Sequence, residues 1–211
     1  MSRQLLFLLL ILLVSCTRGN RTDETSHRND AKHTIGILPF NGVDLTLVKK
    51  IKSGLEQRLT TEVTILDQQK LPQSAYYRSR NRYIADSLLL YLSIANQERF
   101  DKIIGVTVAD ISTAKKPYIN WGVMGLGYCP GEACVISSYR VKATANGSRH
   151  FINRMIVLAM HELGHTYSLP HCSSRICIMK DAEGRMNLDN GNTYCINCAF
   201  YLKRKGILKQ E

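Results

Sequence analysis

Apolar and polar positions follow two alternating periods along most of this 211-residue chain. Short apolar or alternating runs predict five β-strands, over Thr34–Leu38, Glu62–Leu66, Lys102–Val108, Trp121–Leu126 and Cys134–Ser138. Apolar residues that recur every three or four positions predict helices over Asp44–Leu59, Arg82–Ala95 and Phe151–Ser168. Alternation of strands and helices predicts an α/β fold with a mostly parallel twisted sheet.

The N-terminus differs in composition from the rest of the chain. Ten consecutive apolar residues are too few for a membrane span and predict a secretory signal peptide over residues 1–15. Leu13-Val14-Ser15-Cys16 resembles a bacterial lipobox, which implies cleavage before Cys16 and its lipidation; a plain signal peptide or an uncleaved anchor is the alternative. Residues 16–33 are polar and predict a flexible tether, followed by one domain over 34–211. We therefore expect a membrane-anchored lipoprotein of the bacterial cell envelope, outside the cytoplasm.

Three histidines cluster at and just after the end of the third predicted helix. His161 and His165 lie four residues apart, so on a helix both imidazoles face one side and can bind one metal ion. His171 can supply a third nitrogen, and three protein ligands plus a water molecule are typical of catalytic zinc. Glu162 is placed to take a proton from a water molecule that the metal activates. The alternative is an amphipathic helix with surface histidines, but the apolar run over 156–160 predicts a buried helix instead.

The motif continues into cysteines: HELGHTYSLPHCSSRICIM, then fifteen residues, then CINC. This order over residues 161–198 resembles the archaemetzincin family of metzincin-clan zinc metallopeptidases, whose signature is HExxHxxGxxHCx4CxMx17CxxC. The resemblance implies a catalytic zinc on the three histidines, Glu162 as general base, and Met179 as the Met-turn residue beneath the site. It also implies a second, structural zinc bound by four cysteines, which are Cys172, Cys177, Cys195 and Cys198.

The resemblance also implies a metzincin-like zincin fold. That fold has an antiparallel edge strand above the active-site helix and a small cysteine-rich C-terminal subdomain. The candidate edge strand is Cys134–Ser138, which would bind substrate backbone by strand addition; a plain hairpin strand is the alternative. Ser168 replaces the family's glycine at the turn after the helix, where a positive φ would cost about 1 kcal/mol. The spacer between Met179 and Cys195 is two residues shorter than in the signature, which predicts a shorter surface loop.

The cysteines allow two kinds of bonding. Outside the cytoplasm, the four cysteines after His171 can form two disulfides instead of a zinc site. Their Cx4C and CxxC spacing favours a tetrahedral thiolate site. Either arrangement ties the segment after the helix to the domain and so holds His171 in place. Cys129 and Cys134 lie outside the motif, and a local disulfide and two unpaired thiols are equally compatible with their spacing.

The formal net charge of +11 raises the question of a nucleic-acid partner. The basic residues are scattered and no recognition motif accompanies them, so we expect none. A basic surface that faces an anionic membrane or attracts acidic peptides fits the tethered chain better, and residues 203–209 predict a solvated basic tail. We expect a monomer whose partners are a peptide or protein substrate and the membrane. The alternatives are a catalytically weak or inactive zinc-binding scaffold lipoprotein and a metal buffer; Glu162 argues against both, because neither needs a base.

Overall fold

The structure is a computed structural model that describes residues 33–183, 188–189 and 191–210. The predicted signal peptide, the predicted lipidation site Cys16 and the predicted tether up to residue 32 lie outside the described residues. So does part of the loop that precedes Cys195. No helix within the described ranges is long and apolar enough to cross a membrane.

The described chain forms two sheets and a set of helices around them. Its strands are β1 (His33–Pro39), β2 (Thr61–Ile65), β3 (Tyr76–Tyr77), β4 (Arg82–Ile84), β5 (Lys102–Thr107), β6 (Ile111–Lys115), β7 (Tyr118–Val123), β8 (Gly125–Gly127) and β9 (Ala133–Ser137). Its α-helices are α1 (Leu45–Arg58), α2 (Ala85–Asn96), α3 (Ser138–Ala143), α4 (Gly147–Thr166) and α5 (Ile196–Arg204). Two 3-10 turns, Gln73–Ala75 and Arg78–Arg80, flank β3.

The main sheet has the strand order β2-β1-β5-β9-β8. Its first four strands are parallel, and β8 runs antiparallel to β9 at the edge. The predicted mostly parallel sheet with an antiparallel edge strand is therefore confirmed. The prediction that Cys134–Ser138 forms this edge is wrong, because β9 pairs with β5 on one side and β8 on the other. All five residues of β9 are buried, as expected of a central strand rather than an edge.

The main sheet separates two hydrophobic cores. Successive residues of β9 alternate between them, because neighbouring side chains on a strand point to opposite faces. Cys134 and Ile136 pack in the core that contains α1 and α4, whereas Ala133 and Val135 pack in the core that contains α2. This arrangement fixes α4, with its histidines, directly below β8 and β9.

The structure differs from the predicted elements at several places. The predicted strand over Trp121–Leu126 is divided between β7 and β8, which belong to different sheets. The predicted helix over Arg82–Ala95 starts at Ala85, because its first three residues extend as β4 and pair with β6 in a second, four-stranded sheet. The helices α3 and α5 and the strands β3 and β6 were not predicted. Arg204, Lys205 and Lys209 are exposed, as the predicted solvated tail requires. The segment is nevertheless not a free tail, because residues 196–204 form α5 and Lys209 N donates to Arg58 O at 3.1 Å.

Candidate active site

The end of α4 reverses the chain and brings His171 back to the helix. Ser168 N donates to His165 O at 2.8 Å, and Leu169 N donates to Gly164 O at 3.0 Å. This pair of hydrogen bonds is a Schellman motif, whose C′ residue is left-handed. Ser168 occupies that position with φ of 75°, the conformation expected of the glycine it replaces. The turn therefore keeps its shape without glycine.

His161, His165 and His171 meet below β8, with one ligand nitrogen of each within 4.8 Å of the others. His161 Nδ1 lies 2.7 Å from Ile178 O, and His165 Nδ1 lies 2.8 Å from Leu169 O. Because a carbonyl can only accept, each Nδ1 carries the proton and each Nε2 is an unprotonated acceptor. The two Nε2 atoms are 3.1 Å apart, a repulsive arrangement unless a cation lies between them.

The same distance fits a zinc ion. Two nitrogens bound tetrahedrally at about 2.05 Å would be separated by about 3.3 Å. Hydrogen bonds from ligand Nδ1 atoms to carbonyls are the usual way in which proteins orient metal-binding imidazoles. The residues present therefore fit a metal ion.

Burial keeps the imidazoles of His161 and His165 in the neutral form that binds metals. Burial, helped by the neighbouring His165, lowers the pKa of His161 to about 4. Burial also lowers the pKa of His165. His171 is more exposed, and its Nδ1 lies 3.5 Å from Asp181 Oδ2. The sequence motif does not mark Asp181, which comes ten residues after His171 and reaches it only through the fold.

Glu162 is buried between α4 and the edge strand. Glu162 is 6% exposed, and burial raises the pKa of its carboxyl group to about 8. A Cβ on Gly125 would overlap the Glu162 side chain, and a Cβ on Gly127 would overlap the Glu162 carbonyl oxygen. The two glycines therefore allow β8 to lie closer to α4 than a residue with a side chain would permit. Sequence reasoning missed them, although alternate glycines in GVMGLG were a usable signal.

A cleft of about 730 Å³ runs between the end of α4 and the segment 121–127. Its floor carries His161, Glu162 and His165, and its rim follows the main chain of β7 and β8. Within the described residues, β8 pairs with one neighbour, so its other side faces the cleft. An extended peptide fits such a space.

Met179 lies beneath the helix that carries the histidines. It is fully buried, and a Cβ on Gly164 would overlap its sulfur. Gly164 stands directly before His165, so Met179 packs under the turn between the first two histidines. Its carbonyl oxygen accepts a hydrogen bond from Cys172 N at 2.8 Å, which links this floor to the cysteines.

Cys172, Cys177, Cys195 and Cys198 form a second cluster, whose sulfurs all lie within 4.8 Å of one another. Cys172 Sγ and Cys195 Sγ are 3.8 Å apart. A disulfide needs about 2.05 Å, whereas a tetrahedral zinc with Zn–S of about 2.3 Å separates its sulfurs by about 3.8 Å. Burial opposes ionisation of Cys195, but hydrogen bonds from Cys198 and the other thiols outweigh it and lower its pKa to about 7. The geometry favours a metal over two disulfides.

Cys129 and Cys134 do not form a disulfide. Cys134 is fully buried in β9, while Cys129 is exposed and its Sγ donates to Leu169 O at 3.6 Å. Both are unpaired thiols, which decides between the two arrangements that their spacing allowed.

Comparison with known proteins identifies the family of this site. The sequence model described as Peptidase family M54 matches residues 36–204, most of the chain. The chain belongs to this family. Archaemetzincin from Natronomonas pharaonis is 31% identical over 153 residues, which cover 69% of this chain and 84% of that protein. Archaemetzincin from Methanopyrus kandleri is 32% identical over 136 residues, which cover 64% of this chain and 74% of that protein.

Solved archaemetzincins share the fold. The crystal structure from Methanopyrus kandleri superposes with a TM-score of 0.71 at 25% identity, over 84% of this chain and 96% of that one. The structure from Archaeoglobus fulgidus, solved with malonate, superposes with a TM-score of 0.68 at 27% identity, over 80% of this chain and 99% of that one. The chain is therefore a zinc metallopeptidase of the archaemetzincin family. The predicted family, zincin fold and enzyme class are confirmed.

Proposed function

We propose that this archaemetzincin hydrolyses peptide bonds in the cleft between β8 and α4. In this proposal His161, His165 and His171 hold a catalytic zinc, and Glu162 is the general base. The observation that carries it is the convergence of three imidazoles, with one ligand nitrogen of each within 4.8 Å of the others, beside the buried Glu162 side chain. A zinc ion held there supplies Lewis-acid chemistry, since it lowers the pKa of a water molecule and polarises a substrate carbonyl.

The chain's own residues divide the remaining work. The positive charge of a zinc ion held beside Glu162 would oppose the effect of burial and favour the carboxylate, which would take the proton of the attacking water and pass it to the leaving amine. The free side of β8 aligns the substrate backbone through main-chain hydrogen bonds, which tolerate many sequences. Gly125 and Gly127 keep this strand close enough to α4 to hold the peptide over Glu162.

We further propose that the four clustered cysteines hold a second, structural zinc. Cys172 follows His171 directly, and Cys195 begins α5. A metal bound at this cluster would fix the segment between the two, and with it the third histidine. The proposed complement is therefore two zinc ions per chain, with different roles.

The location of the enzyme is a proposal that rests on the N-terminal sequence. Cleavage before Cys16 and lipidation of that residue would anchor the chain to a membrane. The 17 residues from Cys16 to the start of β1 at His33 reach about 55 Å when extended at about 3.3 Å per residue, enough to hold the domain clear of a lipid surface. Metabolic labelling with a radioactive fatty acid tests this: wild type should be labelled and Cys16→Ser should not, whereas labelling of both would contradict it.

Digestion of a peptide library tests the catalytic proposal. Wild type should cleave peptides, and Glu162→Gln should retain zinc but leave them intact. His171→Ala should lose zinc from one of the two sites while the other remains. Cleavage by Glu162→Gln at the wild-type rate, or two zinc ions in His171→Ala, would contradict the assigned roles.

The inactive scaffold has less support than the peptidase. Its basis in the sequence is Ser168 and the shortened loop after Met179. Ser168 adopts the left-handed turn that glycine would adopt, so this departure leaves the three histidines together.

A further inference from the structure

We propose that Arg140 forms a carboxylate-binding subsite of the cleft. The enzyme would then prefer substrates with a carboxylate within about three residues of the scissile bond. The carboxylate belongs either to an Asp or Glu side chain or to the peptide's own C-terminus. This inference rests on the proposed peptidase function and names the substrate class on which it acts.

The guanidinium of Arg140 is held rigidly from behind. Its Nε and Nη2 donate to the two carboxylate oxygens of Asp110 at 2.8 and 3.0 Å, a bidentate pair. The Asp110 side chain is only 9% exposed, and its Oδ2 also lies 2.6 Å from Arg82 Nε. Two guanidinium groups share one carboxylate, so the group carries one uncompensated positive charge.

The outer part of Arg140 faces the cleft. Its side chain is 34% exposed and lines the cleft next to Gly122. A Cβ on Gly122 would overlap the guanidinium, so this glycine lets Arg140 lie against the main chain of β7. Asp110 uses Nε and Nη2 and leaves the N–H groups of Nη1 without a hydrogen bond in the part of the chain that the structure describes. A substrate carboxylate can accept from them.

The position of Gly122 sets the distance from the reacting bond. Gly125 lies over Glu162, and Gly122 comes three residues earlier along the rim. At about 3.3 Å per residue, the two glycines are separated by up to about 10 Å. An extended peptide covers the same length with three residues, so Arg140 would meet a side chain or terminus near that position.

The other charged residues of the cleft favour the same ligand. Lys115 lines it and adds positive charge, and Lys180 also lines it but lies 3.6 Å from Glu183 Oε1. Asp181 lies against His171, and Glu162 lies below the reacting position. Positive potential in a cleft attracts carboxylates and repels basic peptides. Arg140 is the member of this set that is held in place by a bidentate ion pair.

Paired peptides test the inference. We would measure kcat/KM for peptides with Glu or Gln at each of three positions on either side of the scissile bond. A second series would carry a free or an amidated C-terminus. Wild type should prefer the carboxylate at one position by about tenfold, which corresponds to about 1.4 kcal/mol. A preference in the first series would identify a side chain, and one in the second would identify the terminus.

Two arginine variants separate the subsite from general effects. Arg140→Gln should bring the preference close to one, while Asp110 keeps Arg82 as its partner and the fold is retained. Arg82→Gln also removes one positive charge that pairs with Asp110. Because Arg82 does not line the cleft, the preference for a carboxylate should persist in this variant. Equal loss in both variants, or no preference for a carboxylate in either wild-type series, would overturn the proposal.

A binding measurement keeps this test apart from the test of catalysis. In the Glu162→Gln background, calorimetry should show tighter binding of the Glu peptide than of the Gln peptide, and adding Arg140→Gln should abolish the difference. If wild type cleaves without any carboxylate preference, the subsite is refuted and the peptidase stands. If cleavage does not depend on Glu162 but the binding difference persists, the proposed catalytic role fails and the subsite stands.

Discussion

Replacing Ser168 by glycine should stabilise the protein. Ser168 is the left-handed residue of the Schellman motif that ends α4, with φ of 75°. It is exposed, and no hydrogen bond of its hydroxyl is found in the part of the chain that the structure describes. Removing its side chain therefore loses no described hydrogen bond and relieves a backbone conformation that L-residues avoid.

The magnitude follows from two opposing terms. A residue with a Cβ pays about 1–2 kcal/mol in the left-handed region. Glycine gives back about 0.4–1 kcal/mol, because it has more freedom to lose on folding. The net gain is about 0.5–1 kcal/mol in the free energy of unfolding. For a domain of this size it corresponds to a rise in Tm of about 1–4 °C.

Thermal unfolding followed by circular dichroism would measure this shift. The zinc concentration must be equal for all proteins, because bound metal also raises Tm. Ser53→Gly is a matched control, since Ser53 is exposed within α1 and glycine there should destabilise the helix by about 0.5 kcal/mol. If Ser168→Gly unfolds at or below the wild-type temperature while Ser53→Gly behaves as expected, the turn at residue 168 is not strained and the reasoning is wrong.

Three further predictions concern the site and its supports. Gly125→Ala should displace the Glu162 carboxylate and lower kcat by about 100-fold at unchanged zinc content, and a kcat within twofold of wild type would contradict the close packing of β8. Cys177→Ser should remove one zinc ion and lower Tm; metal analysis that still finds two ions would exclude this cysteine as a ligand. Asp189→Asn should destabilise the fold by about 1–2 kcal/mol at pH 7, because it leaves the buried Arg154 guanidinium without its ion pair. The value is modest because the Asp189 side chain is partly exposed to solvent. Arg154 holds the pKa of Asp189 well below its usual value. The stabilisation is therefore fully present above about pH 4 and is lost as the pH falls toward the lower pKa of the folded state. A stability difference between wild type and Asp189→Asn that grows in acid would contradict this.

Local spacing in the sequence was sufficient to predict that the three histidines cluster. His161 and His165 share a helix face by geometry, and the signature places His171 and the cysteines at fixed offsets. Strong periodicity likewise predicted α1 and α4. These features depend on neighbours in the chain, so no knowledge of the fold is needed to find them.

Features that depend on long-range pairing could not be found in this way. An apolar run such as β9 indicates burial but not which strands lie beside it, so the edge strand was assigned to the wrong segment. Its true residues, Gly125–Gly127, have no apolar alternation, and the alternate glycines are the one local signal that they carry. Arg82 and Arg140 are far apart in sequence and meet only because both bind the buried Asp110.

The central claim is that Glu162 acts as the general base beside a zinc held by three histidines. The most direct test is kcat for one cleaved peptide, measured for wild type and Glu162→Gln at matched zinc content. Glu62→Gln is the control, because this substitution makes the same chemical change far from the cleft, at an exposed residue of β2. We predict that Glu162→Gln lowers kcat by about 100- to 10,000-fold while Glu62→Gln has no effect. Turnover by Glu162→Gln at the wild-type rate would contradict the account.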